Sequence, residues 1–279
     1  MRASQEVENL RKNMTKIKST TCLFGAIAGD MIGSRHEWKA CTDPQFVLFS
    51  KSSKFTDDSV LTIAVADAIL NQRRYVEAIV EYARKYPKAG YGSFFRRWIA
   101  NDELEPYNSF GNGSAMRVSA TGWAFNSADE VLREAQQSAE GTHNHPEGIK
   151  GAQSVALAIY LARTGEEKDA IRSELESRFG YDLSSTLEEI RPTYKWDSTC
   201  PGSVPESIVA FLESTDYESA VRNAILLGGD ADTMAAIAGS IAEAYYGGVP
   251  DEIVVEVRIR LKPELLDVVV EFNKRYLAE

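Results

Sequence analysis

Cysteine is scarce in this sequence: Cys22, Cys41 and Cys200 make an odd count of three with no C-x-x-C spacing. A disulfide framework and a thiolate zinc site are both disfavoured, and buried or idle thiols are the expectation. Histidine is equally sparse, again with three residues. Long apolar runs are missing too. The stretch "CLFGAIAGDMIG" falls well short of the ~20 residues that span a bilayer, and it carries Asp30. Basic charge is in deficit, with 31 Lys and Arg against 41 Asp and Glu and a net charge of −10. General nucleic-acid binding is therefore not expected, because phosphate backbones want a basic surface; a local pocket for a small anion remains open. No fixed-period repeat or low-complexity linker interrupts the chain. The first twenty residues are polar and mixed in charge, without a signal-peptide pattern, so a cytoplasmic location is expected.

What is present is a globular profile: 279 residues, 44% hydrophobic and 26% charged. A chain of this size buries a sizeable core without disulfides or a structural metal, so a metal here would serve chemistry rather than folding. Residues 1–19 read as a flexible N-terminal arm, and residues 20–279 as one domain.

From Thr20 onward the periodicity is helical. In "TTCLFGAIAGDMIGSRHEW", Gly25, Gly29 and Gly33 stand four apart and form a small-residue stripe that lets another helix approach closely. Further helices are expected over "SVLTIAVADAILNQRR", "YVEAIVEYARKY", "GYGSFFRRWIAN" and "DEVLREAQQSAEGTH". "PEGIKGAQSVALAIYLARTG" is opened by Pro146, and "EEKDAIRSELESRFG" reads as an exposed amphipathic helix. "PESIVAFLESTDYESAVRNAILLGG" reads as two helices broken near Thr215. "DTMAAIAGSIAEAYYGG" and "PELLDVVVEFNKRYLA" complete the set. "FVLFSKSS" and the alternating "EIVVEVRIRL" are open strand alternatives. Without a βα rhythm the expected class is all-α.

Two acidic motifs carry the chemistry. "FTDDSVLT" sets Thr56, Asp57 and Asp58 at the front of an apolar helix expected to begin near Ser59, where acids can cap the helix and suit its dipole. "GGDADTMAAIAG" repeats that grammar far along the chain with Asp230, Asp232 and Thr233. If the two helix starts converge, four carboxylates face one volume and cannot all ionise unless cations neutralise them. Oxygen ligands without thiolate or imidazole favour Mg²⁺, Mn²⁺ or Ca²⁺, and four carboxylates favour two ions over one. "SFGNGSAMR", Ser109 to Arg117, is a polar glycine loop whose free N–H groups could hold phosphate or carbonyl oxygens; a plain turn before a helix is the commoner meaning of such a loop. His143 and His145 form an H-x-H pair for which polar contacts outweigh zinc. Trp196 is a core or a lid aromatic.

Taken together, "GAIAGDMIGSRHEW", "FTDDSVLT", "SFGNGSAMRV", "THNHPEGIKGA", "CPGSVPES" and "GGDADTMAAIAG" resemble, in order, the ADP-ribosylglycohydrolase family. The resemblance implies an orthogonal helical bundle around a cleft with two Mg²⁺ or Mn²⁺ ions. It implies metal ligation by Thr56, Asp57, Asp58, Asp230, Asp232 and Thr233. Glu37, with Asp58 and Asp232, falls at catalytic positions. Ser109, Phe110, Gly111, Asn112, Gly113 and Ser114 match the loop that holds the diphosphate and ribose, and Met116 and His143 fall near the cleft. Implied partners are ADP-ribose and ADP-ribosylated protein, with arginine the first choice of acceptor. ADP-ribosyl-serine or O-acetyl-ADP-ribose is the runner-up. An ADP-ribose binder, or an immunity protein that occludes a toxin through its arm, is the reading from another class.

Overall fold

A computed structural model describes residues 20–101 and 103–277. The arm expected over residues 1–19, and the toxin occlusion assigned to it, lie outside the described residues. Within them the chain is all-α, and its contacts outside helices include one isolated β-bridge, Gly111 to Thr199. Among the described residues no helix is long and apolar enough to cross a membrane.

The site is positioned by α1 (Phe24–Gly33), α2 (Asp57–Leu70) and α13 (Ala231–Tyr246). Between them run α3 (Tyr75–Lys85), α4 (Ser93–Ile99), α5 (Gly113–Met116), α6 (Ser119–Ala124) and α7 (Ala128–Glu140). Then come α8 (Pro146–Arg163), α9 (Lys168–Phe179), α10 (Leu187–Ile190), α11 (Cys200–Leu212) and α12 (Tyr217–Leu227). Finally α14 (Asp251–Arg260) and α15 (Pro263–Tyr276) close the described chain. The two helices expected around Thr215 are thus α11 and α12.

All ten residues of α1 are buried, as is α13 from Ala231 through Ala244. Neither helix has a polar face to offer water, so each must be surrounded by protein. Their mutual contact is backbone against backbone. A Cβ on Gly25 would stand 2.5 Å from the Gly239 carbonyl oxygen, while Gly29 and Gly33 lie against the Ala235 and Ala231 carbonyls. The glycine stripe expected from the sequence meets the small-residue helix expected from the sequence. Tyr217 of α12 donates its hydroxyl to the Gly25 carbonyl at 2.8 Å and braces this crossing from outside.

Both strand alternatives fail for identifiable reasons. The segment "EIVVEVRIRL" lies within α14 and its short exit: Asp251 and Glu252 occupy the first turn, Arg258 and Arg260 the last, and Ile253 and Val257, one turn apart, are the buried pair. Residues 46–53 are irregular, with a bend at Leu48 and a turn over residues 51–52, and their region's carbonyls go to arginines instead of to a partner strand. Arg222 donates to Pro44 and Phe46, and Arg260 to Ser50. Among the thiols Cys22 and Cys200 are buried, and all three are free.

Candidate active site

The start of α2 differs in one detail from the sequence expectation. Thr56, not an aspartate, is the N-cap, its hydroxyl accepting from Asp58 N at 3.2 Å. Asp57 and Asp58 occupy the first turn, where the helix dipole favours them. Capping by threonine leaves both carboxylates available. At α13 the same result is reached differently. Gly228 and Gly229 adopt φ of 76° and 107°, a left-handed bend that glycine tolerates. Asp230 then takes the N-cap position without making a side-chain cap bond. Its carboxylate accepts instead from Asn112 Nδ2 at 2.8 Å.

The two helix starts do converge. Carboxylate oxygens of Asp30, Asp58 and Asp232 lie within 4.8 Å of one another, and so do those of Glu37, Asp230 and Asp232. Asp232 belongs to both groups, which gives two adjacent oxygen-rich positions sharing one carboxylate. None of the ion pairs among the described residues involves these acids. Burial pushes Asp58 and Asp232 well above the usual carboxylate range, with repulsion from neighbouring aspartates adding to it. Burial also raises Asp230. Asp57 is pushed up to about 7, chiefly by burial. Glu37 is raised by burial and by Asp230, opposed by contact with the Trp38 side chain and by Lys54. A buried acid without a cation holds its proton; Asp58 Oδ1 is buried with no hydrogen-bond partner at all. An orphaned buried oxygen inside an all-oxygen donor set fits a hard divalent cation.

Asp30 is the residue that sequence reasoning missed. It lies in the middle of α1, fully buried, and its carboxylate receives the N–H and hydroxyl of Thr56 at 2.9 and 2.7 Å. It also receives the Ser59 N–H at 3.1 Å and the Ser59 hydroxyl. These bonds offset burial and leave its pKa at about 6. The signal available was a lone charge in an otherwise apolar helix, which polar satisfaction inside a core has to explain.

The acids other than Asp30 line a cleft of about 680 Å³, a size that suits a small organic ligand. Glu37, Thr56, Asp57, Asp58, Asp230, Asp232 and Thr233 face it, as do Ser109, Gly111, Asn112, Gly113, Met116 and His143. Asp57 lies outside both carboxylate triads; one of its oxygens would be 2.9 Å from a Cβ on Gly90. Two expected substrate contacts are not in the cleft. Ser114 is wholly buried and donates to the Gly148 carbonyl at 2.7 Å. Phe110 turns outward between Ser109 and Gly111, its ring 5.2 Å from that of His145. His145 itself is the N-cap of α8, its Nδ1 accepting from Glu147 N at 3.1 Å, and among the described residues neither histidine of the H-x-H pair joins a group of three potential metal ligands. Trp196 is neither core nor free lid. It is half exposed and stacks on the 80% exposed Trp38, centroids 5.7 Å apart, at the rim of the cleft.

Comparisons with known proteins agree with this geometry. The family model described as ADP-ribosylglycohydrolase matches residues 13–277. ADP-ribosylhydrolase ARH3 of Bos taurus is 29% identical over 81% of this chain and 84% of its own, and that of Homo sapiens matches to the same extent. ADP-ribosylarginine hydrolase Tri1 of Pseudomonas putida (strain GB-1) is 24% identical over 74% of this chain and 63% of its own. A solved chain described as an ADP-ribosylglycohydrolase-related protein complex superposes with a TM-score of 0.68 at 23% identity, covering 90% of this chain and 95% of that one. The last likeness speaks for the fold.

Proposed function

The chain belongs to the ADP-ribosylglycohydrolase family of hydrolases, and from that premise we propose that it removes ADP-ribose from modified protein by cleaving the glycosidic bond at the distal ribose. The observation that carries the reading is the pair of carboxylate triads sharing Asp232, of which Glu37, Asp58, Asp230 and Asp232 stand on the wall of a cleft that also holds the Gly111–Gly113 loop, with Asp30 buried behind them. Thr56, Asp57, Asp58, Asp230, Asp232 and Thr233 would hold two Mg²⁺ or Mn²⁺ ions. Such ions supply charge that orients the ribose hydroxyls and makes a water more nucleophilic.

The chain's own groups do the rest. Ser109, Gly111, Asn112 and Gly113, with Met116 and His143, hold the diphosphate and ribose and place the anomeric carbon near the acids. Cleavage passes through an oxocarbenium-like state, and Asp58 and Asp232 stabilise its positive charge. Glu37, raised by its surroundings and only half buried, can take a proton from the attacking water oxygen or hold one for the departing atom, a nitrogen in an arginine linkage and an oxygen in a serine linkage. Asp30 keeps Thr56 and the start of α2 in place and touches no substrate.

Arginine is the acceptor we favour. The exposed faces of Trp38 and Trp196 stand beside Glu37, and indole faces take a planar guanidinium through cation–π stacking. Among the relatives, one that is less similar than the ARH3 proteins is named as an ADP-ribosylarginine hydrolase, so similarity leaves the acceptor to the test. A serine-linked or O-acetyl acceptor would use the same ADP-ribose side and is the competing arm of the test. Release of ADP-ribose from arginine- and serine-modified proteins, with and without Mg²⁺, decides the activity and the acceptor.

A further inference from the structure

His143 presents its Nε2 to the glycine loop: a Cβ on Gly113 would stand 3.2 Å from that atom, and one on Gly111 3.6 Å. Its other nitrogen, Nδ1, is 2.7 Å from Thr142 Oγ1. Which of those two carries the proton follows from the next bond. Arg117 Nη2 donates to Thr142 Oγ1 at 2.9 Å and to the Ser138 carbonyl at 3.0 Å. A guanidinium only donates, so the threonine oxygen accepts there and must send its single proton elsewhere. Among the described residues His143 Nδ1 is the acceptor it has. Nδ1 therefore accepts, and the ring proton sits on Nε2, aimed at the loop.

Arg117 adds a second observation. It is wholly buried, lines the cleft, and makes no ion pair among the described residues, and its Nε and Nη1 have no partner. A buried cation without a counter-ion favours an anion in the adjoining space. Burial, then the Arg117 charge, holds His143 well below its ordinary pKa. Tyr107, whose ring is 6.1 Å away, is the other titratable group facing the imidazole, and it brings no negative charge near neutrality.

We propose that Arg117 and Thr142 are positioning residues that lock His143 as an Nε2–H donor to a phosphoryl oxygen of the substrate's diphosphate at the Gly111–Gly113 loop. The tautomer stands on these bonds alone; the identity of the oxygen rests on the hydrolase reading above.

The test is long-range ¹H–¹⁵N correlation spectroscopy on the labelled full-length protein, with the three histidines assigned by single substitutions. His143 is expected to show a protonated Nε2 and an unprotonated Nδ1, unchanged across the roughly pH 5–8 range in which a free imidazole titrates. The Nε2–H signal should shift on adding ADP-ribose or inorganic pyrophosphate and stay in place with ribose. Thr142→Val should release the second tautomer and weaken ADP-ribose binding about tenfold, the loss of one fixed hydrogen bond to a charged group. Thr142→Ser should restore both. A proton on Nδ1 in the unsubstituted protein overturns the relay, whatever the activity. An Nε2 signal that ignores bound ADP-ribose overturns the phosphoryl contact while leaving the hydrolase reading standing. No ADP-ribose binding at all overturns both the contact and that reading, with the tautomer then judged in the free protein.

Discussion

Asp30 takes both the backbone N–H and the hydroxyl of Thr56, at 2.9 and 2.7 Å, and so ties the middle of α1 to the first turn of α2. Thr56 in turn caps Asp58. The acid in α1 thus sets where a candidate metal carboxylate stands. Asp30→Asn keeps one acceptor oxygen but replaces the other with a donor facing donors. Metal affinity and turnover should fall about 10–100-fold, as for other groups that orient metal ligands, with the helical circular dichroism retained. Unchanged Mg²⁺ dependence of the rate would show that Asp30 does not position the site.

The crossing of α1 and α13 makes a second demand. Gly29 has no room for a side chain against the Ala235 backbone, so Gly29→Ala has to push the helices apart. A loss of about 1–3 kcal/mol in urea unfolding is expected, typical of overpacking in a core. Because the same crossing sets Asp30 against Asp232, activity should fall further than stability alone explains. A variant as stable as the parent would mean that the helices part without cost.

Stability should depend on pH with a definite sign. The folded metal-free protein holds Asp30 at about 6 and Asp57 and Glu243 at about 7, all raised mainly by burial. Their ordinary values are 3.8 for Asp and 4.5 for Glu. Between those limits the folded state binds more protons than the unfolded one, so stability is fully present below about pH 4 and is lost as pH rises through 6 to 7. Thermal unfolding of metal-free protein should therefore shift to lower temperature from about pH 5 to pH 8. Mg²⁺ should raise the midpoint, and more so at the alkaline end, because binding displaces protons from the cluster. A midpoint indifferent to both pH and Mg²⁺ would contradict the ionisation pattern.

Much of this arrangement was legible in the residues. The glycine stripe, the paired Asp-Asp-Thr helix starts and the all-α class follow from periodicity and from the cost of crowding carboxylates. What was not legible depended on side-chain direction. Phe110, in the cleft-lining loop, and Ser114, in the short helix α5, both face away from the cleft: the first lies half exposed beside His145, and the second is buried against the Gly148 carbonyl. Asp30 looked like a reason against a membrane span and turned out to satisfy the start of another helix. The alternation in residues 252–261 suggested a strand until the charges at its two ends, which suit a helix dipole, were weighed with it. The Trp38–Trp196 stack joins two loops far apart in sequence, and no local pattern encodes it.

That stack yields a prediction of its own. Trp38→Ala should lower kcat/KM on arginine-linked ADP-ribosyl protein about twofold to thirtyfold, the range of a cation–π contact. Hydrolysis of a serine-linked substrate should change little. Equal losses on both would remove the indole pair as the feature that selects the acceptor.

The central claim is hydrolysis by a carboxylate cluster that shares Asp232. It is tested most directly by measuring ADP-ribose release from arginine-linked and serine-linked protein, with and without Mg²⁺, for the native chain and for Asp232→Ala. The account predicts release by the native chain only with Mg²⁺, faster from arginine, and none from the folded Asp232→Ala protein. Wild-type turnover by Asp232→Ala with added Mg²⁺, or no release from either linkage by the native chain, would contradict it.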